Sequence, residues 1–193
     1  EVEFYKELYS FEDWQSIEIG TYQNYRLMND IDFSNRDDIK TNITMGKFVS
    51  TGHTLKNINI SSNMTNSLIY QINNLIEGIY FENVSIENSS GKSNIGIIAN
   101  SSATIKNLMV KDTFISADKS NYVGVIGKNI GTQIQNVVLD QIEVKGKQYI
   151  GGFIGDTTSL AIDQIQGTEI HVVASANYVG GIFGSASNSN IEK

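Results

Sequence analysis

An apolar pattern recurs along most of this sequence at intervals of 28 to 29 residues, and this repeat limits the possible folds more than any other feature. Isoleucine stands at the same point of successive segments: Ile76, Ile105, Ile134, Ile162 and Ile191. Further apolar positions follow within each segment two residues apart, as Leu108 and Val110 do, which is the period of a β-strand with one buried face. The repeat therefore predicts short strands that bury their apolar faces by stacking on neighbouring repeats.

The same alignment extends toward the N-terminus, where the first repeat is harder to place. We align Leu55 with Ile76, Ile58 with Ile79, and Ile60 with Phe81. A polar column is expected at a bend of each coil, where stacked amides can hydrogen-bond to one another. Its members are Asn57, Asn107, Asn136 and Gln164, with Gly78 as an interruption.

Glycines mark a further side of each repeat. The aligned positions are Gly96, Gly124, Gly152 and Gly181. Glycine permits bends and a close approach of stacked backbones. Because no helical period separates the strands and the repeat is too short for a propeller blade, the sequence predicts an all-β fold, a parallel β-solenoid of about five coils. We expect it to be right-handed, as crossovers between parallel strands generally are.

The N-terminal residues depart from the repeat and predict a cap with a short helix. Ser10 and Asp13 have the spacing of a capping box, and Phe11, Trp14 and Ile17 fall on one helical face. Such a cap would cover the open end of the first coil. We therefore expect a cap segment over residues 1–54 and solenoid repeats over residues 55–193, and we interpret both chain ends as cuts in a longer protein.

Composition and charge exclude several classes of function. The net charge of −7 repels phosphate backbones, so nucleic acid is not an expected partner. Cysteine is absent, which removes a thiol nucleophile and cysteine zinc ligands. No apolar run reaches the ~20 residues of a membrane-spanning helix.

Few residues are candidates for chemistry, and we predict no catalytic residue and no cofactor in this segment. The two histidines, His53 and His171, are far apart and form no HExxH motif, and no Gly-x-Ser-x-Gly elbow is present. Asp30 and Asp32 project on the same side of a strand and are weak candidates for binding calcium. The interpretation that we favour for them is a solvated acidic face.

Three glycine-rich segments, Tyr122–Gly127, Tyr149–Gly155 and Tyr178–Gly184, resemble the GLUG motif of bacterial surface proteins. The preceding short helix over residues 11–17 and the segments 25–33, 46–48 and 52–58 are similar to the lead-in of such proteins. GLUG repeats occur in immunoglobulin A1-specific zinc metallopeptidases, upstream of the catalytic domain, and in adhesin-like proteins. The resemblance implies a secreted or cell-surface bacterial protein, whose partners would be the rest of its own chain and a host glycoprotein such as immunoglobulin.

Three functions remain open at this point. The resemblance favours a non-catalytic accessory domain of a metallopeptidase, serving as a scaffold or presenting substrate. An adhesin domain that binds a host glycan or protein is the main alternative. A carbohydrate-active enzyme is the third, since solenoids can carry paired carboxylates on one outer face.

Overall fold

The computed structural model describes residues 3–131, 133–158 and 160–192, and it is a parallel β-solenoid of about six turns. The predicted all-β fold is confirmed, with 67% of residues in strands and 3% in helix. The elements are β1 Lys6–Leu8, α1 Phe11–Gln15, β2 Tyr25–Leu27, β3 Ile31–Asp32, β4 Ile43–Ser61, β5 Ser67–Glu87, β6 Gly96–Ser101, β7 Thr104–Val123, β8 Ile126–Asn129, β9 Gln133–Gly151, β10 Ile154–Thr158, β11 Ala161–Ala174, β12 Val179–Gly180, β13 Phe183–Ser187 and β14 Asn190–Glu192. Among the described residues, no helix is long and apolar enough to cross a membrane.

Consecutive coils pair in parallel, and the repeat columns of the central coils are confirmed. The isoleucine column is continuous through the Cα partners Ile76, Ile105, Ile134, Ile162 and Ile191. The glycine column is in register as well. The residues two positions after these glycines are successive Cα partners: Ile98, Ile126, Ile154 and Phe183. The isoleucine column continues toward the N-terminus through Phe48 and Tyr25.

The predicted alignment of the first repeat was wrong. Leu55 pairs with Phe81, not with Ile76, while Ile58 pairs with Val84 and Ile60 with Ile86. The reason is an irregularity in β4, where Val49 and His53 pair with Glu77 and Ile79, so β4 holds two extra residues at this point. β4 also runs without interruption across the boundary that we predicted between residues 54 and 55.

Each long strand bends at residues with positive φ. One corner is formed by Gly78, Asn107, Asn136 and Gln164, with φ of 65°, 51°, 56° and 63°. A second is formed by Asn57, Asn83, Asp112, Gln141 and Glu169, with φ between 49° and 60°. Asn and Asp tolerate this left-handed region better than most residues do. The extra residue at a corner sets buried side chains three apart, as Ile105 and Leu108 are.

The predicted amide ladder is present only in part, because among the described residues one hydrogen bond joins its members and Asn57 lies at a different corner. Asn136 Nδ2 donates to Asn107 Oδ1 at 2.7 Å, as expected. Asn57 belongs to the other corner, where its Oδ1 accepts a hydrogen bond of 2.7 Å from Asn83 Nδ2. Gly78 does not interrupt the first corner, since it adopts the same left-handed conformation as the amides.

The N-terminal helix covers the start of the solenoid, as predicted. The Ser10 hydroxyl accepts a hydrogen bond from the Asp13 amide at 3.2 Å, which caps α1. Trp14 is fully buried, and its ring meets Phe33 edge-on at 5.7 Å and Phe48 at 6.2 Å between centroids. Phe48 is a member of the isoleucine column, so the cap packs directly on the column of the first coil.

Candidate functional site

The predicted calcium candidates lie beside the second corner, where hydrogen bonds within the chain engage both carboxylates. Asp32 Oδ1 accepts from Ser34 N at 2.9 Å, from Ser34 Oγ at 2.5 Å and from Asn57 Nδ2 at 2.8 Å. These bonds, those from Ser34 first, lower the pKa of Asp32 from 3.8 to about 2. Asp30 Oδ1 accepts from Thr54 N at 2.9 Å and lies 3.5 Å from His53 Nδ1. Both carboxylates therefore help to hold the first coil in place.

His53 lies beside Asp30, but in the described part of the chain these side chains do not form a group that could hold a metal ion. Within residues 3–131, 133–158 and 160–192, the structure contains no group of three or more His, Cys, Asp or Glu that could hold a metal ion. His171 lies exposed on β11, with Glu143 of the preceding coil as its backbone partner. The two histidines thus occupy unrelated positions on the solenoid surface.

The GLUG-like segments form a structural column of stacked tyrosines. Tyr122, Tyr149 and Tyr178 stack with ring centroids 4.8 Å and 4.5 Å apart. All three have positive φ, between 57° and 66°, a rare conformation for a bulky residue. Partial burial of the middle ring raises the pKa of Tyr149. Stacking covers both faces of the Tyr149 ring, whereas Tyr178, at the end of the column, stacks on one face and is 53% exposed.

Glycine is required beside this column because the backbone of the preceding coil lies against it. An ideal Cβ on Gly155 would lie 2.6 Å from the Gly127 carbonyl oxygen and 2.7 Å from the carbonyl carbon of Tyr122. Gly184 is in the same situation against Gly155 and Tyr149. The GLUG-like pattern of this chain is therefore explained by packing between coils.

A polar cleft of about 310 Å³ lies on another side of the solenoid, where the turns after β4 and β5 meet residues 116–119 of β7. We call it the turn groove. It is lined by Ser61, Ser62, Asn63, Glu87, Asn88, Ser89, Ser116, Asp118 and Lys119. Ser61, Glu87 and Ser116 are Cα partners on neighbouring strands, so they form a row along the solenoid axis.

Hydrogen bonds between coils hold the walls of the turn groove. Asn88 is 4% exposed, and its Nδ2 donates to the carbonyl oxygens of Ser62 at 3.1 Å and Thr65 at 2.7 Å. The Ser89 amide and hydroxyl both donate to Asn63 Oδ1, at 3.0 Å and 2.9 Å. The side chain of Asn88 thus bridges two turns by hydrogen bonds, so the shape of the groove is formed without a ligand.

Five side chains of the turn groove remain available to a ligand. In the described part of the chain, the side chains of Ser61, Glu87, Ser116, Asp118 and Lys119 take part in no hydrogen bond or ion pair. A second cleft of about 340 Å³ shares Ser61 and Ser62 with the groove and continues past Ile39 and Met64. The two clefts together form a polar depression that crosses several coils.

The sequence did not predict the turn groove. Its residues lie in segments rich in Ser and Asn, which resemble ordinary turns, and the row members Ser61, Glu87 and Ser116 are far apart in the sequence. Only the register of the coils brings them together. The available signal was the recurrence of Asn and Ser after the strands ending at Ser61 and Glu87.

Comparisons of this chain with protein-family models, with curated proteins and with solved structures found no match.

Proposed function

We propose that this solenoid is a non-catalytic accessory module of a secreted bacterial surface protein, which serves as a scaffold that presents substrate to a metallopeptidase domain of the immunoglobulin A1-protease type. The proposal rests on the GLUG-like segments and on one structural observation. That observation is the continuous register of the coils, from Tyr25 and Phe48 through Ile162. We expect a stack with this register to be rigid and to hold surface groups at fixed distances from a neighbouring domain.

Rigidity supports presentation because tethering acts through effective concentration. A module that holds a substrate near a catalytic domain strengthens overall binding without adding any catalytic group. The interior of the solenoid is mainly apolar, with a few buried polar side chains such as Ser101, Asn129 and Thr157, and the charged side chains lie on the outer surface. The outer surface is therefore the part of the module that would contact a substrate.

A second candidate function is an adhesin-type binding domain, and the turn groove favours it. The groove is concave and preformed, and its Ser61, Glu87 and Ser116 side chains are not engaged within the described chain. A binding role through this surface is common to both candidates. They differ in whether a catalytic domain uses the bound molecule.

Two measurements test the proposal. The purified chain is incubated with immunoglobulin A1 and with polysaccharides, with and without zinc, and we expect no cleavage. In the metallopeptidase that carries the segment, deletion of residues 1–193 should slow cleavage of intact immunoglobulin and spare a short hinge peptide. Cleavage by the chain alone would contradict the non-catalytic role. Unchanged cleavage of intact immunoglobulin after the deletion would contradict the substrate-presenting role and favour the adhesin function.

A further inference from the structure

The turn groove offers a set of polar groups that matches one class of ligand better than others. Ser61 and Ser116 carry hydroxyls, which both donate and accept hydrogen bonds, Glu87 and Asp118 carry acceptors, and Lys119 carries donors. An anionic ligand would meet two carboxylates, which disfavours phosphates, sulfates and acidic sugars. A ligand rich in hydroxyl groups can satisfy donors and acceptors together.

The spacing of these groups suits a chain of sugar residues. Ser61, Glu87 and Ser116 lie on adjacent parallel strands, and such strands are about 4.8 Å apart. This interval is close to the length of one pyranose residue in an extended oligosaccharide. A row of hydroxyl, carboxylate and hydroxyl at this interval can therefore contact consecutive sugars that run along the solenoid axis.

Hydrogen bonds already order the walls of the groove, so the protein loses little further conformational entropy when a ligand binds. The Asn88 side chain and the Ser89–Asn63 hydrogen bonds fix both turns before any ligand arrives. Small-molecule sites are usually preformed and carry a few placed polar groups that fix the orientation of the ligand, and a preformed site lowers the ordering cost of binding. We infer that the turn groove binds an uncharged oligosaccharide, with Glu87 and Asp118 accepting hydrogen bonds from sugar hydroxyls. The inference rests on the binding role proposed above and names its ligand class.

The test is a titration of the isotope-labelled chain, followed by NMR, with neutral tetrasaccharides of glucose, mannose, N-acetylglucosamine and lactosamine. Tetralysine and calcium chloride are titrated in parallel. We expect at least one tetrasaccharide to shift the backbone amides of Ser61, Glu87, Ser89 and Ser116. No shift with any sugar at millimolar concentration, shifts confined to other surfaces, or binding of tetralysine alone would overturn the inference.

A pair of matched variants assigns the binding to the groove. Glu87→Ala removes a charged acceptor, and we expect the affinity for the sugar to fall about tenfold or more. Glu82→Ala removes an exposed carboxylate from the same strand outside the groove, so the affinity should change less than about twofold. Equal losses in the two variants would contradict the assignment. Thermal unfolding of both variants confirms that they remain folded.

The outcomes separate this inference from the proposed function. Binding of a tetrasaccharide together with release of shorter sugars would keep the ligand class and refute the non-catalytic role. Absence of sugar binding, with slower immunoglobulin cleavage after deletion of residues 1–193, would refute the ligand class and keep the presenting role.

Discussion

The first and the last described coils differ in how well the same apolar columns are buried. At the N-terminal end, the cap covers the first coil, and Phe48 is 1% exposed beneath Trp14. In the last coil, Ile170 and Val172 are only partly buried. Their partners one coil earlier, Ile142 and Val144, are 1% and 0% exposed. The difference shows that a coil buries its inward side chains mainly through the layer that stacks on it.

This comparison defines what a cap contributes. The helix α1 supplies aromatic rings where a further coil would supply isoleucines, and the strands β1 and β2 continue the parallel pairing of the coils. Because burial of apolar area is the main favourable term in folding, an inward position in a covered coil should matter more than the same position in an uncovered one.

The largest expected effect tests the difference between the coils directly. We expect Ile142→Ala to lower the free energy of unfolding by ~2–5 kcal/mol, since it removes a buried side chain and leaves a cavity. Ile170→Ala occupies the same column in the last coil and should cost about half as much, because solvent already reaches the side chain.

Denaturant unfolding of both variants gives the measurement, with Met109→Ala as a control. Met109 points outward on β7, and its replacement should change stability by ~0.5 kcal/mol or less, as is usual at surface sites. If Ile142→Ala and Ile170→Ala are equally destabilising, the last coil does not differ from the covered ones.

The regular coils could be predicted from the sequence because their columns keep a constant spacing. The first coil could not, for two physical reasons. The two corners of a coil impose the same spacing of buried residues, so Leu55, Ile58 and Ile60 match the first corner as well as the second. The two extra residues between Val49 and His53 shift the pairing of β4 with β5, and nothing in the apolar pattern indicates them.

The candidate site was less predictable than the fold. A catalytic motif can be recognised because its residues have a fixed spacing over a short stretch of sequence. The row of Ser61, Glu87 and Ser116 exists only because three coils stack in one register. Serine and asparagine in turns also have ordinary structural roles, as Asn88 shows by bridging two turns. Pattern alone therefore cannot separate a groove residue from a turn residue.

An intermediate effect is expected at the glycines of the GLUG-like segments. Gly155→Ala places a Cβ against backbone atoms of Gly127 and Tyr122, which cannot move without shifting a neighbouring coil, so we expect a loss of ~1–3 kcal/mol. Gly181→Ala lies in the uncovered coil, where an ideal Cβ meets no atom within 4 Å. It should be neutral or stabilising by up to ~0.5 kcal/mol. Midpoints of urea unfolding compare the two, and a Gly181→Ala loss as large as that of Gly155→Ala would show that close packing between coils is not the reason for glycine.

The smallest expected effect concerns Asp32 at the covered end. Its pKa is lowered from 3.8 to about 2 in the folded chain by hydrogen bonds from Ser34 and Asn57. A lowered folded-state pKa means that its contribution is fully present above the unfolded pKa and is lost as the pH falls from roughly 4 through 2. The side chain is exposed, so the contribution should stay below about 1 kcal/mol.

The measurement is urea unfolding of wild type and Asp32→Asn on both sides of this pH window. The variant should be less stable than wild type above the window and should approach it at the acidic side, because its neutral amide does not titrate. Asp163→Asn is the matched control near the other end, where the carboxylate accepts one hydrogen bond of 3.2 Å from Gln135. Asp32 is the last acceptor of the Asp32–Asn57–Asn83 ladder. Removing its charge should therefore lower the stability of the first coil, next to the cap. A constant difference between wild type and Asp32→Asn across the whole window would mean that the carboxylate charge does not stabilise this corner.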